Sequence, residues 1–131
     1  SSDIIHVLGM ENKNTLILVE DFLSAIKVGR LYQGMPLWGS TISAKILPRI
    51  RAYCIMNNIG RLGIWLDPDK KLESIKMALR LSQMHPAVFV VQSALDPKEY
   101  GTDAIVQLVE QSTGDTINKL EPEKKSPRIE V

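Results

Sequence analysis

The sequence that decides the fold is Gly63-Ile64-Trp65-Leu66-Asp67-Pro68-Asp69-Lys70-Lys71, in which an apolar run ends abruptly in two carboxylates. An apolar run of this length, bounded by turn residues, is typical of a buried β-strand. Pro68 fixes one backbone dihedral angle between Asp67 and Asp69 and removes a backbone donor, so the two acids are held stiffly. Because ligands of open α/β sheets gather outside the carboxyl ends of the strands, these acids could form a hard-cation site. Taken alone, the motif is better explained as a turn with two solvated acids, and the rest of the chain decides between the two interpretations.

The composition is that of one ordinary globular domain. The chain has 131 residues, of which 44% are hydrophobic and 24% charged, enough for a substantial core. The net charge is +1, so a nucleic-acid role would need a local basic patch. The single cysteine, Cys54, excludes an internal disulfide and fits a reducing compartment. No apolar run approaches the roughly 18 residues of a membrane span and no signal peptide is visible, so we expect a cytoplasmic protein without a membrane partner.

A pattern of strand, acid and helix recurs along the chain. The apolar run Thr15–Val19 stops at Glu20-Asp21, and apolar residues at helical spacing follow it. Pro48 lies inside a later helical stretch, so that helix is either kinked or begins near Leu47. The predicted strands are 15–19, 61–66 and 87–91, and residues 31–38 are predicted as a loop that runs into a further short strand. The predicted helices are 21–30, 42–58, 70–84 and 102–111.

This alternation predicts an α/β fold with a central, mostly parallel four-stranded sheet flanked by helices. Residues 1–14 form a lead-in segment, either an edge strand or a helix, and residues 15–111 form the domain. Residues 112–131 are a polar tail or linker. Right-handed crossovers bring the carboxyl ends of all four strands to one edge. That edge collects Glu20, Asp21, Gly39, Ser40, Asp67, Asp69 and Asp96.

Three strands that each end in an acid favour a cation site over solvated turns. Carboxylates crowded at one edge repel each other unless a cation binds between them. Oxygen ligands without a cluster of histidines or cysteines suit Mg²⁺ or Mn²⁺ rather than zinc. Such a site serves phosphoryl or nucleotidyl transfer, or phosphodiester cleavage, with one or two metals.

Four motifs in order resemble those of Toprim domains: Thr15-Leu16-Ile17-Leu18-Val19-Glu20, Trp38-Gly39-Ser40, Leu66-Asp67-Pro68-Asp69 and Leu95-Asp96-Pro97-Lys98-Glu99-Tyr100. The resemblance covers residues 13–111. Toprim domains are the catalytic fold shared by bacterial-type primases, type IA and II topoisomerases, some nucleases and recombination mediators. The last motif is most similar to bacterial-type and phage primases. The resemblance implies a Rossmann-type three-layer fold.

The resemblance also implies roles for individual residues. Glu20 would be a metal ligand or a general acid/base, and Asp67 and Asp69 would bind the catalytic Mg²⁺. Asp96 would contribute to a further metal or phosphate site. The turn at Gly39-Ser40 would let backbone amides approach phosphate.

Three lysines lie beside these acids in the sequence. Lys70, Lys71 and Lys98 could contact nucleotide or template phosphates, or they could be solvated surface charges. Trp38 adjoins the predicted site turn; packing in or beside the core is its first interpretation, and base stacking is the second.

The chain departs from the Toprim pattern at two places. A glycine usually follows the glutamate, with an aspartate four residues after it, whereas this chain has Asp21 and Ser24 there. Asp21 is therefore an extra acid that could replace the missing carboxylate. Lys71-Leu72 stands where a small Ala-Gly pair is common. These differences indicate a divergent phage or plasmid branch and leave the number of metals open.

We therefore expect the catalytic domain of a DNA primase, as a fragment of a larger protein. Its reaction would be nucleotidyl transfer to a primer 3′-hydroxyl, with single-stranded DNA template and nucleoside triphosphates as partners and a replicative helicase as a further one. The sequence contains no zinc ribbon or helicase P-loop, so the isolated domain could be inactive. Two alternatives are open: a metal-dependent nuclease that uses the same acids, and a catalytically decayed module that docks nucleic acid or protein.

Overall fold

The computed structural model describes residues 4–10 and 13–114 of the chain. Within them the architecture is mixed α/β, with one five-stranded sheet flanked by helices. No helix in these residues is long and apolar enough to cross a membrane. In chain order the elements are β1 (Leu8–Gly9), β2 (Thr15–Val19), α1 (Phe22–Gly29), β3 (Gln33–Pro36), α2 (Leu47–Met56), β4 (Arg61–Trp65), α3 (Lys71–Leu81), β5 (Val88–Val90), a 3₁₀ turn (Pro97–Glu99) and α4 (Thr102–Thr113).

The strand order in the sheet is β1-β3-β2-β4-β5. Strands β2 to β5 are parallel, and β1 pairs antiparallel with β3. The prediction of four strands is wrong, because the two-residue strand β1 adds a fifth at the edge and is too short to produce a periodic pattern. Val19 is level with Pro36 on one side and with Trp65 on the other. Three neighbouring strands therefore end at the same height, and the loops that follow them meet.

Alternate residues of β2 supply two hydrophobic cores on opposite faces of the sheet. Leu16 and Leu18 pack with buried residues of α2 and α3, whereas Ile17 and Val19 pack with buried residues of α1 and α4. All four side chains are fully buried, which stabilises the fold by roughly 1.5–3 kcal/mol for each. A strand buried on both faces is apolar without alternation, and this is why the sequence identified β2.

Several helix boundaries differ from the prediction. Of the two interpretations of residues 42–58, a kinked helix or one that begins near Leu47, the second is confirmed: α2 begins at Leu47 and Pro48 lies in its first turn, where its missing N–H is not needed. Helix α3 ends at Leu81, three residues earlier than the predicted end at residue 84. Helix α4 continues to Thr113, so the residues at the start of the predicted polar tail are helical. The rest of that tail, residues 115–131, lies outside the described residues, as do 1–3 and 11–12.

Candidate functional site

Four carboxylates converge at the carboxyl ends of the parallel strands, and we call this group the carboxylate edge. Glu20 follows β2 directly, and Asp21 precedes α1. Asp67 follows β4 after one residue, and Asp96 precedes the 3₁₀ turn that follows β5. All four residues are partly buried. The parallel topology thus brings together acids that are up to 76 positions apart in the sequence.

Glu20 links the ends of neighbouring strands through both its side chain and its backbone. Its Oε2 accepts a hydrogen bond of 2.9 Å from the backbone N–H of Asp67. Its carbonyl oxygen accepts a hydrogen bond of 3.2 Å from the N–H of Gly39, just beyond β3. The Gly39 amide, which the sequence suggested for phosphate binding, is therefore directed at the protein itself. These bonds fix the Glu20 carboxylate beside Asp67.

Asp67 lies in an environment that disfavours a negative charge on its carboxylate. Its Oδ1 is buried and has no hydrogen-bond partner among the described residues. Burial, and next the charges of Glu20 and Asp96, raise the pKa of Asp67 to about 6, although the Lys98 ammonium opposes the shift. A buried acceptor without a donor costs free energy. A proton or a cation bound at Asp67 would remove this cost.

Asp21 has two structural partners. Its Oδ1 accepts a hydrogen bond of 2.8 Å from the backbone N–H of Ser24, so it caps the first turn of α1. Its Oδ2 accepts a hydrogen bond of 3.1 Å from Nζ of Lys98. Burial raises the pKa of Asp21, but the Ser24 N–H and the Lys98 ammonium together hold it below its ordinary value. The acid that departs from the Toprim pattern is thus a helix cap and one half of an ion pair.

The segment Asp96-Pro97-Lys98-Glu99 forms a 3₁₀ turn that positions the lysine. Pro97 is the first residue of the turn, and the N–H of Glu99 donates to the Asp96 carbonyl oxygen at 2.9 Å. The turn brings Nζ of Lys98 to 3.0 Å from Oδ2 of Asp96. One ammonium therefore bridges Asp21 and Asp96, and both carboxylates hold the pKa of Lys98 above its ordinary value.

The remaining predicted site residues border this group. Asp69 is exposed on the turn after β4, which is closed by a hydrogen bond of 3.0 Å from the Lys70 N–H to the Asp67 carbonyl oxygen. Lys71 is exposed at the start of α3. Ser40 lines a cleft of about 140 Å³ between the loop after β3 and α3. Within the described residues, the side chains of Asp69, Lys71 and Ser40 make no hydrogen bond to the carboxylate edge.

Sequence reasoning missed an exposed aromatic pair next to the carboxylate edge. The rings of Phe22 and Trp38 are stacked, with centroids 6.2 Å apart and planes inclined by 8°. Packing in or beside the core was the first interpretation of Trp38 and base stacking the second; the side chain lies beyond the end of β3 and is 65% exposed. The one signal available in the sequence was its position before Gly39. Trp65 is fully buried as expected, and its Nε1 donates to Ser93 Oγ at 2.8 Å.

The donor chemistry of the carboxylate edge fits Mg²⁺ or Mn²⁺. The side chains of Glu20 and Asp67 offer only oxygen ligands, and Oδ1 of Asp67 is buried without a hydrogen-bond partner in the described part of the chain. The Lys98 ammonium is bonded to Asp21 and Asp96 instead. In the part of the chain that the structure describes, no three His, Cys, Asp or Glu side chains are already arranged as a metal centre. A cation at this edge would be held by the side-chain oxygens of Glu20 and Asp67.

The same geometry also permits proton transfer. A carboxyl group that titrates near pH 6 can act as a general base at neutral pH and as an acid a little below it. Asp67 has this property, and its position outside the carboxyl ends of parallel strands is where ligands bind in open α/β sheets. Comparisons of the chain with protein families, curated proteins and solved structures found no match.

Proposed function

We propose that this chain is a Toprim-like domain that binds Mg²⁺ and catalyses nucleotidyl transfer as the catalytic domain of a DNA primase. The observation that carries the proposal is the contact between Glu20 and Asp67. The Glu20 carboxylate accepts a hydrogen bond from the backbone N–H of Asp67, whose buried Oδ1 has no hydrogen-bond partner in residues 4–10 and 13–114. A cation would remove the cost of the buried Asp67 oxygen, and the ordered motifs that contain the two residues resemble those of Toprim domains.

The fold supports the proposal at the level of topology. Four parallel strands flanked by helices place Glu20 and Asp67 just beyond the carboxyl ends of β2 and β4, which pair directly. The Toprim-like order of acids is a glutamate after one strand and an Asp-x-Asp after its neighbour. In this chain, Asp69 would complete that set from the exposed turn beside Asp67.

The residues of the carboxylate edge would have different roles in the reaction. Glu20 and Asp67 would hold the metal, with Asp69 bound through water or directly. The Mg²⁺ would supply positive charge for the phosphates of a nucleoside triphosphate. Glu20, held in place by the Asp67 N–H, would also accept or return a proton at the attacking primer 3′-hydroxyl.

The lysines around the edge would bind and orient phosphate groups. Lys70 and Lys71 lie at the start of α3, directly beyond Asp69, where they can meet the phosphates of nucleotide or template. Lys98 is already paired with Asp21 and Asp96, so its main effect would be to limit the negative charge near the phosphates. We further propose a single-stranded DNA template and nucleoside triphosphates as partners, a replicative helicase as a neighbour, and a phage or plasmid origin.

The test compares Asp67→Asn with the unaltered chain. The chain should bind Mg²⁺ at millimolar concentration in calorimetry and incorporate labelled nucleotides on single-stranded DNA, and the variant should lose both properties. Asp103→Asn, which neutralises an exposed acid on α4, serves as the control and should behave like the unaltered chain. An Asp67→Asn variant with full incorporation would contradict the proposal.

The other outcomes identify the alternatives. Cleavage of labelled DNA or RNA without incorporation would identify a nuclease that uses the same carboxylates. Failure of the unaltered chain to bind Mg²⁺ at millimolar concentration would identify a decayed docking module. Both results would replace the primase proposal.

A further inference from the structure

Two aromatic side chains form an exposed stacked pair beside the carboxylate edge, and we call this pair the aromatic platform. It consists of Phe22, the first residue of α1, and Trp38, two residues beyond β3. Phe22 is 44% exposed and Trp38 is 65% exposed. The two rings are nearly parallel, with an angle of 8° between their planes. The platform thus presents flat aromatic surface to solvent.

The stability of the fold does not explain this arrangement. Most of the Trp38 side chain remains in water, so its burial contributes little compared with a core tryptophan such as Trp65. The backbone of Trp38 has a φ of 59°, which is a strained conformation for a bulky residue. Strain of this kind is concentrated at functional sites. An exposed ring on a strained backbone therefore indicates a binding role.

Both residues of the platform are neighbours of Glu20, which belongs to the carboxylate edge. Phe22 is two residues after Glu20, and Trp38 precedes Gly39, whose N–H donates to the Glu20 carbonyl oxygen at 3.2 Å. Trp38 also lines a cleft of about 330 Å³ that it shares with residues 4–6 and the end of β3, and Phe22 is not among the residues that line it. A flat ligand on the platform would therefore lie beside the carboxylate edge.

Positive charge is available along the continuation of the same loop. Ser40 and Thr41 form one wall of the cleft of about 140 Å³, and α3 forms the other wall with Lys76 and Arg80. Arg80 also donates through Nη1 to the Ile42 carbonyl oxygen at 2.6 Å, which ties the loop to α3. Glu73 lines this cleft as well, so the charged side chains that line the cleft (Glu73, Lys76 and Arg80) carry a net charge of +1. A partner with flat rings fits the platform, and its phosphates would lie on the side of Lys76 and Arg80, because the carboxylate edge would repel them.

We propose that the aromatic platform binds an unpaired base of single-stranded DNA, while Lys76 contacts its backbone. Aromatic side chains stack on any base, and adjacent cations follow the phosphates, as is usual in proteins that bind single strands. This inference deepens the proposed function by naming how the template would be held. Stacking does not need a metal, so it can be tested separately from catalysis.

The experiment uses the full chain with oligodeoxythymidylate in EDTA. Trp38 is exposed whereas Trp65 is fully buried, so quenching of tryptophan fluorescence by a stacked base reports on Trp38. Binding of a fluorescently labelled oligonucleotide is followed by anisotropy in parallel. We expect Phe22→Ala and Trp38→Ala each to weaken binding roughly tenfold. Trp38→Phe should retain most of the affinity and lose the quenching.

Two controls separate stacking from general effects. Met56 is an apolar residue that is 79% exposed. It ends α2, which leads to the start of β4 at the opposite edge of the sheet. Met56→Ala should therefore leave the affinity unchanged. Asp67→Asn should retain oligonucleotide binding even where nucleotide incorporation is lost, which separates this proposal from the proposed function. Lys76→Gln should reduce the slope of log affinity against log salt concentration by about 1, the value expected for the loss of one phosphate contact. Thermal unfolding confirms that each variant is folded.

The remaining outcomes overturn the proposal. The oligonucleotide could fail to bind the unaltered chain, or could bind the Phe22→Ala and Trp38→Ala variants as tightly. A concentration-dependent dimer that Trp38→Ala abolishes, without any oligonucleotide binding, would identify the platform as a contact between copies of the chain. Equal affinity for duplex and single-stranded DNA would also contradict stacking, because the bases of a duplex are not free.

Discussion

The ammonium nitrogen of Lys98 lies 3.1 Å from Oδ2 of Asp21, although the two residues are 77 positions apart in the sequence. The same nitrogen lies 3.0 Å from Oδ2 of Asp96. The Lys98 ammonium therefore neutralises part of the negative charge of the carboxylate edge, and it connects the start of α1 to the 3₁₀ turn. This pairing explains how an additional acid directly after Glu20 is tolerated.

We expect Lys98→Met to destabilise the chain in the absence of metal. The variant retains the aliphatic part of the side chain but leaves two carboxylates without a counterion beside Asp67. The paired side chains are between 29% and 37% exposed, so solvent screens them and the loss of unfolding free energy should be about 1 kcal/mol. Urea unfolding in EDTA measures it, with the exposed Lys45→Met as the control. Millimolar Mg²⁺ should restore part of the loss, and equal stability of the two variants in EDTA would contradict the role of Lys98.

The raised pKa of Asp67 makes stability depend on pH. Its pKa is about 6 in the folded chain, compared with an ordinary value of 3.8. The folded state therefore binds the proton more tightly, and stability falls as pH rises from about 4 to about 6. Asp67→Asn removes the charge and should raise the free energy of unfolding at pH 8 in EDTA by about 1 kcal/mol, a value reduced for partial exposure.

The check on Asp67 is the same urea unfolding at two pH values. At pH 4 the carboxyl group is largely protonated, so Asp67→Asn should give almost no gain there. Asp69→Asn changes an exposed acid on the same turn and should have little effect at either pH. An equal gain from Asp67→Asn at pH 4 and pH 8 would mean that burial of charge is not the cause.

The parts of the fold that depend on local pattern could be predicted from the sequence. The strand Thr15–Val19 was predicted with its observed ends, because a strand buried on both faces is a continuous apolar run. Glu20 and Asp67 were predicted to meet because parallel strands end at one edge. For the segment that contains β1 the sequence allowed either an edge strand or a helix, since two residues that pair with β3 carry no periodic signal.

The parts that depend on long-range contacts could not be predicted. The partner of Asp21 is determined by a 3₁₀ turn far along the chain, and no spacing rule connects the two. The exposure of Trp38 depends on how the loop after β3 leaves the sheet, where the backbone φ is 59°. The buried state of the Asp67 Oδ1 likewise depends on how the neighbouring loops pack.

We expect Glu110→Gln to reduce stability without affecting the site. Glu110 on α4 forms two hydrogen bonds with Arg61, at 2.9 and 3.2 Å, and accepts one from the Tyr32 hydroxyl at 2.7 Å. Arg61 begins β4, so this cluster lies at the edge of the sheet opposite the carboxylates. The pair is partly exposed, so the loss of unfolding free energy should be about 1 kcal/mol.

The pH dependence of the Glu110 cluster has the opposite sign to that of Asp67. Arg61, and next Tyr32, hold the pKa of Glu110 below its ordinary value of 4.5. Its stabilisation is therefore complete above that value and is lost as the pH falls through the lower folded pKa. Glu110→Gln should unfold earlier in urea at pH 7 and bind Mg²⁺ and oligonucleotide normally. A loss of Mg²⁺ binding in a folded variant would show that the two edges are coupled.

We expect Gly34→Ala to damage both the fold and the aromatic platform. A Cβ at position 34 would lie 2.6 Å from the carbonyl oxygen of Ala25 and 3.1 Å from its Cα, which are backbone atoms of α1 that cannot rotate away. Such overpacking costs about 1–3 kcal/mol. Gly101→Ala is the matched control, because a Cβ there would meet nothing within 4 Å.

The same change should also separate the two rings of the platform. Phe22 is carried by α1 and Trp38 follows β3, so an alanine that forces α1 away from β3 moves one ring relative to the other. Under conditions in which Gly34→Ala is still folded, its affinity for oligodeoxythymidylate should fall, whereas Gly101→Ala should bind normally. If Gly34→Ala were destabilised but bound the oligonucleotide with unchanged affinity, the parallel stacking of Phe22 on Trp38 would not be required for binding, and a base would be held by Trp38 alone.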